Sequence, residues 1–193
     1  MNSDRIEQWN ERYRAGEQVF ETPSPLVVQF ARDLAPGSAL DLACGPGRNS
    51  LYLAERGWLV FAVDGSQVAI DLLLARARER ELTIAASVAD LEVGGVVVPV
   101  GTFNLVLSCY YLQRSLIPLM LSGLRPGGFL IMIVHLTDVN QPQGTPTRAY
   151  PGELRAFLDG WDILHYREGE PEESGHRHAV AELVAQKPSE RRP

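Results

Sequence analysis

The chain has little cysteine, no long apolar run and no excess of positive charge, and each shortage removes a class of function. Two cysteines in 193 residues, Cys44 and Cys109, make neither a disulfide framework nor a CxxC metal site. Such usage suits a reducing compartment, so a cytoplasmic setting is expected. Apolar runs such as Phe129 to Val134 are far too short to span a bilayer, and the opening MNSDRIEQWNERY lacks the apolar core of a signal peptide. A formal net charge of -6 argues against a general nucleic-acid footprint, which needs a basic face. Neither an internal repeat nor a linker is visible, so residues 1–193 read as one domain. What remains is 45% hydrophobic and 22% charged, enough to build a core without disulfide or metal support.

Periodicity lays out alternating helices and strands. Ile6, Trp9 and Tyr13 form one apolar stripe on a short first helix. Ser24 and Pro25 have the pattern of an N-cap and first helical residue, with Leu26, Phe30 and Leu34 behind them. Strands are expected at 38–43, 58–63, 82–88, 102–111 and 127–136. Ser66 should cap a long helix that buries Ile70, Leu73, Leu74 and Ala77. Residues 92–101 read as a loop, because Pro99 and three glycines oppose a central strand. A short helix at 115–123 and another at 151–158 flank the fifth strand and a polar, Pro/Gly-rich loop at 137–150, which has the composition of a lid. Segments 160–169 and 176–187 read as a final hairpin joined by an acidic turn, in which Glu168 to Glu173 is most simply a solvated run. The tail at 188–193 is expected to fray.

The chemistry concentrates at 38–50, SALDLACGPGRNS: a strand, a glycine turn and the start of a helix. That order opens the nucleotide site of doubly wound α/β folds. Carboxylates stand near or after the ends of the first three strands, Asp41, Asp64 and Asp90. Asp64 lies about twenty residues past the turn, where an acid meets a ribose diol. Asp41 decides between ligands. A pyrophosphate at a helix N-terminus wants positive potential, and a carboxylate beside the turn opposes it. The third glycine of G-x-G-x-x-G is also missing, since Ser50 occupies its place. S-adenosylmethionine, with an ammonium, a sulfonium and no phosphate, suits an acidic turn better. Asp64 would then take the ribose hydroxyls and Asp90 the adenine amino group.

The segments ALDLACGPGRN, VFAVDGS, VADL, FNLVLSCYYL and LRPGGFLIMIV resemble the successive motifs of class I S-adenosylmethionine-dependent methyltransferases, and the resemblance covers nearly the whole chain. The opening WNERYRAGE, the LQRSLIP segment and the stretch PGELRAFLDGWDILHYREGE are similar to the small tellurite-resistance-type methyltransferases. The resemblance implies a Rossmann-like three-layer αβα sandwich. Its seven-stranded, mostly parallel sheet would run in the order 3-2-1-4-5-7-6, with the last strand antiparallel. It also implies a cofactor site. Asp41, Ala43, Cys44, Gly45, Gly47 and Asn49 come from the first motif, and Asp64, Gly65 and Ser66 from the second. Ala89, Asp90 and Leu91 come from the third, Ser108 and Cys109 from the fourth, and Arg12 from helices within 1–35 that lid the cofactor. Asn104 and His135 depart from the family pattern, which usually has aspartate at the first position and polar or acidic residues at the second.

Acceptor class is narrowed by further absences. SCYYLQR after the fourth strand is not the Asn/Asp-Pro-Pro-aromatic motif of amino-directed DNA enzymes, no Pro-Cys nucleophile appears, and no acidic cluster for a metal stands beyond the cofactor acids. A small-molecule acceptor is expected, with no nucleic-acid or membrane partner and a monomer or weak homodimer. Tyr110, Arg114, His135, Arg148, His176 and Arg177 are the candidate catalytic residues of the acceptor site, with His135 or Tyr110 available as the base that an alcohol or phenol would need. Cationic side chains gathered at one mouth of an acidic chain favour an anionic or soft acceptor, a chalcogen oxyanion or thiol ahead of a phenol. A catalytically silent cofactor sensor and a nicotinamide-dependent oxidoreductase are the rival readings.

Overall fold

The short apolar runs, each stopped by glycine, proline or an acid, become strands, and the 3.6-residue stripes between them become helices. A computed structural model describes residues 3–137, 145–173 and 178–189. Contacts divide the chain into two compact units, residues 1–97 and 98–193. The seven strands form one sheet in the order β3-β2-β1-β4-β5-β7-β6, the expected order.

The first unit contains α1 (Ser3–Arg14), α2 (Pro25–Ala31), β1 (Ser38–Leu42), α3 (Arg48–Glu55), β2 (Leu59–Asp64), α4 (Gln67–Glu79) and β3 (Ala85–Val88). β1 and β3 both pair in parallel with β2. Leu42, Leu53, Val60 and Leu73 are fully buried between sheet and helices, and each such side chain stabilises the fold by about 2 kcal/mol. Ser66 caps α4 as expected, its hydroxyl accepting from the Ala69 amide at 3.1 Å. Ser24 precedes α2 but its side chain makes no cap bond; its amide donates instead to Asn49 Oδ1 at 2.9 Å. β3 starts later than expected. Glu81 is left-handed at φ 56° and the Leu82 amide returns to the Ala77 carbonyl at 2.8 Å, so these residues end α4 before a strand can begin.

The second unit contains β4 (Phe103–Cys109), a 3-10 turn (Arg114–Leu116), α5 (Ile117–Gly123), β5 (Leu124–His135), α6 (Glu153–Ala156), β6 (Asp162–Gly169) and β7 (Val180–Gln186). β4 and β5 are parallel, whereas β7 runs antiparallel to both β5 and β6. β5 begins earlier than expected: Leu124 already pairs with Phe103, and the next pair is Leu105 with Phe129. Residues 125–128 form the bulge between those pairs, which tolerates Pro126 and a left-handed Gly127 at φ 75°. α6 is shorter than the expected 151–158. Lys187, the only lysine in the sequence, donates its ammonium to the carbonyls of Leu121 at 2.8 Å and Leu124 at 2.7 Å, where α5 ends. No helix among the described residues is long and apolar enough to cross a membrane.

Candidate functional site

In the first unit the chain leaves β1 through a turn almost free of side chains. Ala43, Gly45 and Gly47 are all left-handed, at φ 56°, 54° and 85°. A Cβ on Gly47 would stand 2.0 Å from Leu73 Cδ1, so only glycine lets α3 start this close to α4. At Gly45 a Cβ would meet Tyr13 Oη at 3.2 Å. Cys44 is buried, and burial pushes its thiol well above its ordinary range, which leaves it a poor nucleophile.

Two carboxylates flank this turn. Asp41 is 2% exposed and accepts from the Ser50 hydroxyl at 2.6 Å. Burial pushes its carboxyl up to about 7; the Ser50 bond opposes that rise and the charge of Asp64 adds to it. Ser50 thus uses the place of the third glycine to satisfy Asp41. Asp64 accepts one amide on each oxygen, Gly45 on Oδ2 and Ser66 on Oδ1, both at 2.8 Å. Burial raises its pKa despite those bonds. The Gly65 amide acts on the same carboxylate, which keeps acceptor capacity for a ligand hydroxyl. Asp90 follows β3 after Ala89, whose amide extends the ladder to the Asp64 carbonyl at 2.9 Å. Its Oδ1 accepts from the Glu92 amide at 2.9 Å, and Leu91 between them is buried. Gly65 is buried in the turn between Asp64 and Ser66.

α1 touches the loops after all three strands of this unit. Tyr13 lies over Gly45, and burial raises its phenol far above the usual range. The Ser66 hydroxyl donates to Asn10 Oδ1 at 2.6 Å, and Arg5 pairs with Glu92 at 2.9 Å. Arg12 is exposed, its guanidinium 5.0 Å from the centroid of the Trp9 ring, and Trp9 stacks on Tyr13 at 5.5 Å. Arg76 fastens the following segment, donating to the carbonyls of Pro46 at 2.8 Å and Phe20 at 3.2 Å and to Glu21 Oε2 at 2.7 Å. Asn49 is engaged with Ser24 rather than open to the turn. None of these links was visible in sequence, because α1 and its partners lie 56 to 87 residues apart for Asn10 and Arg5.

In the second unit, β4 stops at Cys109 because Tyr110 turns left-handed, at φ 63°, its amide donating to the Ile133 carbonyl at 2.6 Å. The Tyr110 phenol donates to Glu173 Oε2 at 2.7 Å, and its ring lies 5.5 Å from His135. His135 lies 6.0 Å from His178, whose Nδ1 is 3.4 Å from Arg148 Nη1. Tyr110, His135 and Arg148 therefore gather with His178. Arg114 is placed differently. It donates to Glu153 Oε1 at 2.5 Å and Oε2 at 2.9 Å, and to the carbonyls of Thr145 at 2.7 Å and Arg148 at 3.2 Å. Glu153, 2% exposed, also accepts from the Tyr150 amide at 3.0 Å, so the pair shapes the loop that carries Arg148. His176 and Arg177 lie outside the described residues. Ser108 is buried, with its hydroxyl 3.4 Å from the Tyr111 carbonyl, and Cys109 is half-buried and in no disulfide. Glu153 and Glu173 were missed in sequence: Glu173 stands in an acidic run that resembles a solvated surface, and Glu153 is a lone acid between two arginines with no local sign of its burial.

Residues 9–182 match the family model for tellurite resistance protein TehB. The chain is 25% identical over 162 residues to the probable S-adenosyl-L-methionine-dependent methyltransferase TehB of Haemophilus influenzae, covering 78% of this chain and 57% of that protein. It is 26% identical over 153 residues to hemagglutinin 1 of Eikenella corrodens, covering 76% and 51%. The chain thus spans about half the length of these curated relatives. The crystal structure of TehB from H. influenzae has the same fold, with a TM-score of 0.77 at 23% identity over 92% of this chain and 67% of that one.

Proposed function

Because the chain belongs to the TehB family, we propose that it transfers the methyl group of S-adenosylmethionine to a small-molecule acceptor. The observation that carries this reading is the pair of enclosed carboxylates around a glycine turn almost free of side chains. Asp41 is held by Ser50 and eased by the charge of Arg48, yet burial still puts it at about 7, so an arriving ammonium would favour its ionised form. Asp64 has acceptor capacity left for a ribose diol, and Asp90 would accept from the adenine amino group. A dinucleotide fits worse, since its pyrophosphate would meet the same two acids. When bound, the cofactor supplies a sulfonium methyl that is open to in-line attack.

The chain's own part is positioning and exclusion of water. Tyr13 over Gly45 and the Asn10–Ser66 bond make α1 a cover for the cofactor turn. A nucleophile and a sulfonium lose charge together, so a dry pocket favours the reaction, and holding the acceptor in line supplies much of the rate. Tyr110, His135, His178 and Arg148 would hold the acceptor. Their imidazoles and guanidinium suit a chalcogen oxyanion or a thiol, in keeping with the family's description. Arg114 would act here by holding the loop of Arg148. The deciding experiment is an acceptor panel of oxyanions, thiols, halides and phenols, with S-adenosylhomocysteine release as the readout. Release with at least one oxyanion or thiol is expected. A silent panel from protein that binds S-adenosylhomocysteine would leave a cofactor sensor as the reading.

A further inference from the structure

Tyr110 is held in a backbone state that its own side chain opposes, at φ 63°. A bulky residue stays in that region only where its surroundings fix it, and such strain gathers at working sites. Here it sets the phenol against Glu173 Oε2, 2.7 Å away and 63 residues distant in sequence. Glu173 stands in the turn after β6, and that turn is braced. Glu182 on β7, 8% exposed, accepts from Arg167 on β6 at 3.0 and 2.7 Å. The same guanidinium donates to the Glu170 carbonyl at 2.8 Å and lies 3.9 Å from Glu172. A buried carboxylate therefore anchors an arginine that anchors the acidic turn, and the turn delivers a carboxylate to a phenol.

We propose that Tyr110 and Glu173 form a proton-accepting pair, and that the acceptor arrives as a protonated X–H group, a thiol, hydroxyl or hydrogen-oxyanion. The inference rests on the methyltransferase reading above. Tyr110 is the catalytic residue that touches the acceptor, and Glu173 is the positioning residue behind it. In the step, the X–H electron pair becomes the new bond to carbon, and the pair of the methyl–sulfur bond leaves with sulfur. The acceptor proton passes to Tyr110 Oη while the phenol proton passes to Glu173 Oε2. Glu173, half-buried, then returns a proton to solvent. X becomes a far stronger acid as its bond to carbon forms, so a carboxylate acting through a phenol is base enough. Among the described residues, the ionisable groups facing Tyr110 include His135, Glu173 and Arg167, with His178 and Arg148 beyond His135.

Two measurements test the pair. In the first, tyrosinate absorbance is titrated in the wild type, Tyr110→Phe and Glu173→Gln, so that the signal of Tyr110 is isolated by difference. Without the carboxylate that opposes its ionisation, Tyr110 in Glu173→Gln should titrate about one pH unit lower. An unchanged titration overturns the pair, whatever the enzyme does to an acceptor. The second compares 2-mercaptoethanol, mostly protonated at neutral pH, with 4-nitrothiophenol, which is ionised. In both variants the ratio of kcat on the first thiol to kcat on the second should fall about 10²-fold, with Glu173→Asp restoring part of it. Equal losses on both thiols, or none, overturn the inference, and so does a wild type that turns over neither. The methyltransferase reading falls only if the full acceptor panel is silent as well. Should Tyr110→Phe fail to bind S-adenosylhomocysteine, Glu173→Gln alone decides.

Discussion

Asp41 is a carboxylate taken out of water, with Ser50 bonded to it and the charge of Arg48 close enough to act on it. An aspartate in an unfolded chain titrates near ~4, whereas this one titrates at about 7. The fold therefore favours its protonated form. The stability this group contributes is fully present below ~4 and is lost as pH rises through about 7. Ligand binding runs the opposite way, because an ammonium prefers the ionised form. S-adenosylhomocysteine, which keeps that ammonium, should bind about tenfold more weakly per pH unit below the midpoint, with release of close to one proton. Calorimetry in buffers of different ionisation heat measures that proton, and Asp41→Asn should abolish it. Asp64 has a different task. Its two oxygens hold the Gly45 and Ser66 amides, so Asp64→Ala should both loosen the turn and weaken S-adenosylhomocysteine more than tenfold, about 1.5 to 3 kcal/mol. Unchanged affinity in that variant would remove Asp64 from the cofactor site.

Elements show where local signals suffice and where they fail. Ser66 as a cap and the break in β-structure over 92–101 follow from neighbouring residues alone, and both were legible. Strand boundaries moved where one residue adopted φ above zero: Glu81 before β3, Tyr110 after β4 and Gly127 inside β5. Nothing in a hydrophobic pattern announces such a residue when it is not glycine. That α1 would cover the cofactor was suggested by resemblance, but its observed fastenings to Ser66 and Glu92 depend on distant pairings. Ser66 serves twice, accepting from Ala69 and donating to Asn10. Ser66→Ala should therefore cost about 1 kcal/mol of cap, while Asn10→Ala spares the cap. Both should raise the rates at which S-adenosylhomocysteine enters and leaves, as seen by stopped flow; equal rates in Asn10→Ala and wild type would show that α1 does not gate the turn. Arg114→Ala leaves the buried Glu153 without its cation. Since the arginine is itself 35% exposed, the cost should be on the order of 2 kcal/mol rather than the larger penalty of a fully buried pair. Thermal melts of Arg114→Ala and the double variant Arg114→Ala/Glu153→Gln test this, because the double variant should recover part of the loss.

At the scale of the whole molecule, the strand order and the family were legible because they depend on the sequence of motifs along the chain. The cluster proposed to hold the acceptor was less so. Tyr110, His135 and Arg148 could be named from strand ends and loop position, but Glu153 and Glu173 look like any exposed acid until the fold brings an arginine or a phenol to them. A net charge of -6 also bears on an anionic acceptor, which must approach a chain of like sign. Screening should help it. With tellurite as acceptor, kcat/KM should rise about two- to fivefold between low and physiological ionic strength, and initial rates across a salt series would show it. A falling rate would mean that the local cations govern the approach.

Lys187 gives the molecule one further property, since its side-chain amine is both unique and occupied. An acylating reagent needs the free base with its lone pair exposed, and an ammonium held by two carbonyls at the end of α5 offers neither. Acylation of Lys187 must wait for that corner to open, so its rate becomes a clock for local unfolding of the β5–β7 region. Because no other lysine competes, peptide mass spectrometry can follow that clock at Lys187, apart from any acylation of the α-amine, with no engineered probe and no assay of turnover.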